Sequence, residues 1–161
     1  MIEIVPLARL PHLAEVLGGW AYGEWYAHRD VPRAAVIESY RHRAHSRNEL
    51  PIAWVALEDG RPAGMASLKP DDLWSRRDLG PWLASLYVDP HRRNRGVATR
   101  LVETVVAAAR DLSFPRIFLF RSHEWLDDFY RNRGWSLYGD CVDNDGRPAK
   151  IYLMQLAPPT V

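Results

Sequence analysis

The chain has 161 residues and a formal net charge of +1, from 21 basic and 20 acidic side chains. This length suits one globular domain, and 47% hydrophobic with 25% charged residues excludes wholesale disorder. The near-neutral charge argues against a nucleic-acid-binding protein, in which a basic excess is usual.

The chain shows no sign of a membrane or secretory segment. No stretch approaches the roughly 20 apolar residues of a membrane span, and the N-terminal residues lack the charged start and long apolar run of a signal peptide. Cys141 is the only cysteine, so no intrachain disulfide can form. We therefore expect a cytoplasmic protein that does not contact a membrane.

The first half of the chain alternates strand and helix patterns. Pro32 suits the start of a helix, and Asp59-Gly60 suits the turn of a hairpin between two apolar runs. The predicted elements are a strand at 2–7, helices at 11–27 and 32–47, a hairpin at 51–69 and a loop at 70–81.

The second half continues with a β-α-β unit, whose two strands should be parallel neighbours. Its elements are a strand at 82–88, an amphipathic helix at about 96–111, and a strand at 116–120, followed by a helix at 123–134 and a final hairpin. The complete predicted order is β-α-α-β-β-β-α-β-α-β-β.

The turn between the strand at 82–88 and the amphipathic helix concentrates positive charge. Three arginines at 92, 93 and 95 stand directly before the helix, although the helix dipole disfavours cations there. Gly96 lets a ligand approach the backbone, and Asn94 tolerates a left-handed conformation. Outward backbone N–H groups and arginines suit a pyrophosphate better than a single carboxylate. Walker and dinucleotide-binding glycine patterns are both absent.

The spacing Arg93-x-x-Gly96-x-Ala98, after a strand that ends Val88-Asp89-Pro90, resembles the acetyl-CoA motif of the GNAT superfamily of N-acetyltransferases, Gln/Arg-x-x-Gly-x-Gly/Ala. The resemblance covers essentially the whole chain, 1–161, as one domain. It implies an α/β (α+β) fold with a mixed central sheet of about seven strands flanked by about four helices. It also implies an acyltransferase that uses acetyl-CoA as co-substrate, without a metal, and in which a primary amine attacks the thioester directly.

The same resemblance assigns roles to individual residues. Tyr130-x-x-x-Gly134-Trp135 is similar to the family's Tyr-x-x-x-Gly-Phe, whose tyrosine often protonates the departing CoA thiolate, so Tyr130 is the expected general acid. Asn94 departs from the pattern, because many members carry a further glycine there, and His123 stands where many carry an asparagine. The residues expected to bind the cofactor are Leu86, Tyr87, Val88, Arg93, Asn94, Arg95, Gly96, Val97, Ala98, Thr99 and His123.

The acceptor site is expected between the N-terminal helices, the 70–81 loop and the final hairpin. Its candidate residues are Glu24, Trp25, Asp72 and Trp74. The general base stays open, since the strand at 82–88 offers only Ser85, and the alternatives are Asp71, Asp72, Glu24 or a chain of waters. The identity of the amine also stays open, and a homodimer is possible because dimers are frequent in the superfamily.

Two other functions compete with the enzyme, and one further motif is assigned no function. A non-catalytic module of the same fold would bind or sense acyl-CoA without transferring the acyl group. Nucleic-acid binding through the arginine turn is disfavoured by the near-neutral charge. The segment at 41–47, with His42 and His45 at helical spacing, is predicted to be a solvated helix face rather than a metal site.

Overall fold

The structure is a computed structural model and describes residues 1–157, so the last four residues of the predicted domain lie outside the described part. Its main elements are β1 (Ile2–Pro6), α1 (Ala14–Ala21), α2 (Arg33–Arg43), β2 (Ile52–Glu58), β3 (Arg61–Lys69), β4 (Trp82–Val88), α3 (Val97–Asp111), β5 (Arg116–Arg121), α4 (Asp127–Arg131), β6 (Ser136–Val142) and β7 (Pro148–Gln155). This is the predicted order of strands and helices.

The seven strands are hydrogen-bonded in the order β1-β2-β3-β4-β5-β7-β6. β4 and β5 are parallel, as the β-α-β pattern predicts. The pairs β1–β2, β2–β3, β5–β7 and β6–β7 are antiparallel. The predicted mixed sheet of seven strands with four helices is therefore confirmed.

Three predicted helices are shorter or less regular than expected. The helix at 11–27 is a 3-10 turn, then α1, then a π-helical segment at Tyr22–Tyr26. The helix at 32–47 ends at Arg43, and just beyond it the Ser46 hydroxyl accepts the backbone N–H groups of Asn48 and Glu49, which favours a turn. The helix at 123–134 is a 3-10 turn at Glu124–Leu126 followed by α4, and Gly134, with a positive φ of 91°, closes it at the predicted position.

The described chain forms two compact units. The first unit comprises Met1–Leu68 and Ser85–Val105. Its core lies between the strands and the first two helices, and α1 approaches α2 closely at Gly18, where a Cβ would stand 2.6 Å from Ile37 Cα. The buried residues of this core are Val5, Leu7, Ala14, Leu17, Ala21, Val36, Tyr40, Ala53, Val55 and Met65.

The second unit comprises Lys69–Ala84 and the chain from Val106 onward. It contains the start of β4, the strands β5, β7 and β6, and α4. Its core cluster is Leu73, Trp82, Phe118 and Ile151. Trp82 is fully buried, and its indole N–H donates to the Leu79 carbonyl at 2.9 Å, so the bulky ring carries no unpaired polar atom.

Within residues 1–157, no helix has both the length and the apolar character that crossing a membrane requires.

Candidate active site

The second half of β4 departs from regular strand geometry. Ser85 has a φ of +56°, which is uncommon for a residue with a side chain and costs backbone energy. The three residues that follow it, Leu86 to Val88, are only half buried. On the β3 side, Gly64 leaves room for this segment, because a Cβ there would lie 2.8 Å from the Tyr87 carbonyl oxygen. No sequence pattern predicts this irregularity.

The turn after β4 is built from local hydrogen bonds and two left-handed residues. The Asp89 carboxylate accepts the backbone N–H of His91 at 3.0 Å. Asn94 and Gly96 have φ values of 63° and 84°, and α3 begins immediately afterwards at Val97. A Cβ on Gly96 would meet no atom within 4 Å, so glycine is required by the backbone conformation and not by crowding within the chain. The N–H groups of the first turn of a helix have no partner inside that helix, which makes this position suitable for an anion.

Part of the arginine charge is compensated inside the same unit. Glu58, a buried residue at the end of β2, accepts from Arg92 at 2.7 Å and from Arg95 at 2.5 Å. Arg93 donates from Nε to the Val88 carbonyl at 3.0 Å. One carboxylate of the chain therefore binds two of the three arginines, which the sequence did not predict. A net positive charge remains at the turn for a ligand.

Replacing Glu58 with glutamine should lower the free energy of unfolding by about 1–2 kcal/mol, because two guanidinium groups lose their shared carboxylate. Chemical denaturation measures this loss. Glu38→Gln is the matched control, since the Glu38–Arg41 pair on α2 is exposed on both sides and should contribute less than about 0.5 kcal/mol. Equal losses in the two variants would show that Glu58 does not anchor the turn.

Tyr87 on β4 is surrounded by two of the N-terminal aromatic residues. Its ring centroid lies 5.4 Å from that of Trp20 and 6.3 Å from that of Trp25, the latter edge-on. Burial raises the pKa of the Tyr87 hydroxyl, and the negative charge of Glu24 raises that pKa further. The structure thus brings two candidate acceptor residues, Glu24 and Trp25, next to the strand that is expected to bind the cofactor.

The other two candidate acceptor residues lie in the second unit. The Asn144 side chain, in the turn between β6 and β7, donates to the Asp72 carbonyl at 2.9 Å and accepts the Trp74 backbone N–H at 3.0 Å. The Asp72 carboxylate lies 3.4 Å from the Lys69 ammonium, and the Trp74 side chain is exposed. The 70–81 loop and the final hairpin therefore meet through Asn144, which the sequence did not single out.

Tyr130 is buried on α4, and its ring centroid lies 5.2 Å from that of the neighbouring Phe129, 6.1 Å from Trp135 and 6.2 Å from Tyr152. Burial raises the pKa of Tyr130 to about 12. The phenol therefore stays neutral and holds its proton throughout the physiological range, as a proton donor must.

A buried ionic network anchors the start of α4. Arg121 donates to both oxygens of Asp127 at 2.6 and 2.8 Å, and the Tyr152 hydroxyl donates to the same carboxylate at 2.6 Å. The hydrogen bond from Arg121, followed by that from Tyr152, lowers the pKa of Asp127, so the carboxylate stays ionised. This network fixes the helix that carries Tyr130.

His123 is exposed, immediately before the 3-10 turn that leads into α4. Its ring stacks on Trp125 with 6.1 Å between centroids and 19° between planes. Trp125 is itself 76% exposed, so this pair presents an unusual amount of aromatic surface to solvent.

The prediction of a solvated face at 41–47 is wrong for one residue. His42 and His45 are exposed, but Arg43 retains only 5% of its surface. Its guanidinium carbon lies 4.1 Å from the centroid of the Tyr40 ring, because the side chain turns inward toward the sheet. Among residues 1–157, no group of three or more His, Cys, Asp or Glu side chains is placed to hold a metal ion.

The mixed sheet, with a glycine turn after β4 that leads into α3, has the order of strands and helices and the turn expected from the sequence resemblance. The sequence matches the family model described as the Acetyltransferase (GNAT) family over residues 17–135, which is more than half of the chain. The protein belongs to the GNAT family, so the predicted family membership is confirmed.

Known proteins agree with this fold. A crystal structure of an aminoglycoside 6'-N-acetyltransferase complexed with coenzyme A is similar, with a TM-score of 0.76, 18% identity and 99% of each chain covered. An acetyltransferase from Streptococcus agalactiae has a TM-score of 0.67 at 24% identity, covering 96% of this chain and 98% of that one. Identities this low establish the fold alone.

The sequence is also similar to human N-acetyltransferase 8, with 35% identity over 66 residues. The match covers 41% of this chain and 29% of that protein, so it spans less than a third of the relative's length.

Proposed function

We propose that the protein is an N-acetyltransferase that transfers the acetyl group of acetyl-CoA to a primary amine. The observation that carries this proposal is the turn at 89–96. Gly96 has a positive φ there, and the space beside it is open. The three arginines of the turn carry more positive charge than the single carboxylate of Glu58 neutralises. Membership of the GNAT family and the coenzyme A bound in the similar aminoglycoside 6'-N-acetyltransferase both support it.

In this proposal the cofactor binds along residues 86–99, with the pyrophosphate on the turn and the pantetheine arm on the backbone of Leu86, Tyr87 and Val88. Backbone N–H groups of β4 polarise the thioester carbonyl as oxyanion donors do. Tyr130 protonates the departing thiolate, which its neutral phenol supports. His123 contacts the pantetheine in the role that an asparagine has in many members.

The acceptor is an amine, and the candidate residues for binding it are Glu24, Trp25, Asp72 and Trp74. Of these, Glu24 is the exposed carboxylate whose charge reaches Tyr87, which suits attraction of a cationic amine. Asp72 is already paired with Lys69, so it is the weaker candidate. A cytoplasmic location and a homodimeric state belong to the same proposal.

One observation favours the non-catalytic alternative, an acyl-CoA-binding module. Some members of the family use a glutamate on the strand before the acetyl-CoA motif as a base, whereas β4 offers only Ser85, whose hydroxyl accepts a hydrogen bond from Arg43 at 3.2 Å. A module of this kind would bind acetyl-CoA but release no thiol with any amine.

Calorimetric titration with acetyl-CoA, followed by a thiol-release assay against a panel of amines, tests the proposal. We expect micromolar binding of acetyl-CoA and thiol release with at least one class of amine. Binding without thiol release would support the module instead, and absence of binding would contradict both functions.

A further inference from the structure

Arg43, the last residue of α2, is a buried cation next to the strand that is expected to hold the thioester. It retains 5% of its surface, and a single nitrogen, Nη1, donates to the Ser67 hydroxyl at 3.0 Å and to the Ser85 hydroxyl at 3.2 Å. The guanidinium also stacks over the Tyr40 ring at 4.1 Å. All of these contacts lie within the first unit.

None of these partners carries a negative charge. In the described chain, no carboxylate forms an ion pair with Arg43, whose contacts are the two hydroxyls and the aromatic ring. Buried charges in proteins are normally paired, because removing an ion from water without a counter-charge costs several kcal/mol. The other buried arginine, Arg121, follows this rule through Asp127. Arg43 thus has the surroundings of a residue whose counter-ion is a ligand.

The geometry of the guanidinium identifies the kind of ligand. Nη1 makes both hydrogen bonds to serine. The other two nitrogens, Nε and Nη2, have no acceptor among residues 1–157, and both keep some solvent-accessible surface. The Nε–Nη2 edge of a guanidinium is a planar pair of donors that matches the two oxygens of one carboxylate. A phosphate carries a second negative charge, and no second cation among residues 1–157 contacts Arg43 to balance it.

The position of Ser85 indicates that this ligand is the acceptor. Ser85 directly precedes Leu86, the first of the residues proposed to bind the pantetheine arm, and it has the strained φ of +56°. Backbone strain of this kind is retained mainly where a site requires it. The Arg43–Ser85 hydrogen bond therefore lies one residue from the segment where the amine must meet the thioester.

We propose that Arg43 binds a carboxylate of the acceptor, so that the acceptor carries both an amine and a carboxylate. A free amino acid has both groups, and so does a peptide whose amino-terminal part contains an acidic residue. This inference rests on the proposed function. It assigns Arg43 to recognition of the acceptor, so changing Arg43 affects the acceptor KM and leaves the acetyl-CoA KM unchanged.

The test compares each amino acid of a panel with its decarboxylated amine and its amide, in the wild type and in Arg43→Met. Thiol release measures kcat/KM, and a thermal shift measures binding without any transfer. We expect the wild type to favour the carboxylate compounds by about 30-fold, and Arg43→Met to lose this preference. Arg41→Met is the control, since Arg41 is exposed on the same helix and pairs with Glu38.

Arg43→Lys covers the case in which the methionine variant fails to fold. Lysine retains the charge but not the paired donors, so the preference should fall without disappearing. Equal use of carboxylate compounds and their decarboxylated partners by the wild type would overturn the inference and leave the proposed function intact. Binding of carboxylate compounds that depends on Arg43, without thiol release, would support the inference and contradict the proposed function.

Discussion

Gly96→Val is expected to raise the dissociation constant for acetyl-CoA by about 100-fold or more, because the variant should lose about two charge-assisted hydrogen bonds to the cofactor. Gly96 has a φ of +84°, which a β-branched residue strongly disfavours. The variant must either change the turn or place its methyl groups in the open space beside the backbone, where we propose the pyrophosphate lies. Calorimetric titration measures the change.

Gly60→Val is the matched control for this experiment. Gly60 lies in the β2–β3 turn of the same unit, has a φ of +82°, and also has open space where a Cβ would stand. Both variants should lose about 1–2 kcal/mol of stability from backbone strain, but only Gly96→Val should lose binding. Unchanged affinity in both variants would remove the turn from the cofactor site.

Sequence patterns predicted most of the fold because the signals involved are local. The 3.6-residue periodicity of α3 gives its buried row, which includes Val97, Leu101 and Val105. The Asp59-Gly60 turn fixes the β2–β3 hairpin in the same way. The end of α2 was not predicted, because it depends on the hydroxyl of Ser46. The insertion of β7 between β5 and β6 depends on pairing between distant strands and has no local signature.

The candidate site was predictable where one short segment carries it. The turn at 89–96 contains its own glycine, its left-handed Asn94 and its arginines. The partners of those arginines were not predictable, since Glu58 is 34 residues from Arg92 in the chain. Arg43 was assigned to solvent for the same reason, because Ser67 and Ser85 stand 24 and 42 residues away. A helix pattern as polar as that of α2 gives no sign that one arginine points inward.

Tyr130→Phe should lower kcat by about 100-fold, at the lower end of what a general acid contributes, with the KM for acetyl-CoA little changed. The phenol, with its pKa raised to about 12, keeps its proton at rest, whereas a thiol has a pKa near 8.5. The phenol is therefore a weaker acid than the thiol that forms, so it stabilises the developing negative charge on sulfur as a hydrogen-bond donor while the C–S bond breaks. Any proton that it gives to the thiolate must be replaced by the proton that the attacking amine loses. Phenylalanine retains the ring contacts with Trp135 and Tyr152, so the fold should be preserved.

The pH profile of kcat and the variant Tyr152→Phe distinguish a role of Tyr130 in proton donation from a role in packing alone. Because burial raises the pKa of Tyr130, its ionisation should cause no loss of kcat in the wild type between about pH 7 and pH 10. Tyr152→Phe removes a hydroxyl that donates to Asp127, so it should lower the melting temperature more than Tyr130→Phe does and lower kcat much less. If Tyr130→Phe instead retains kcat within twofold, Tyr130 is a packing residue and the thiolate takes its proton from water.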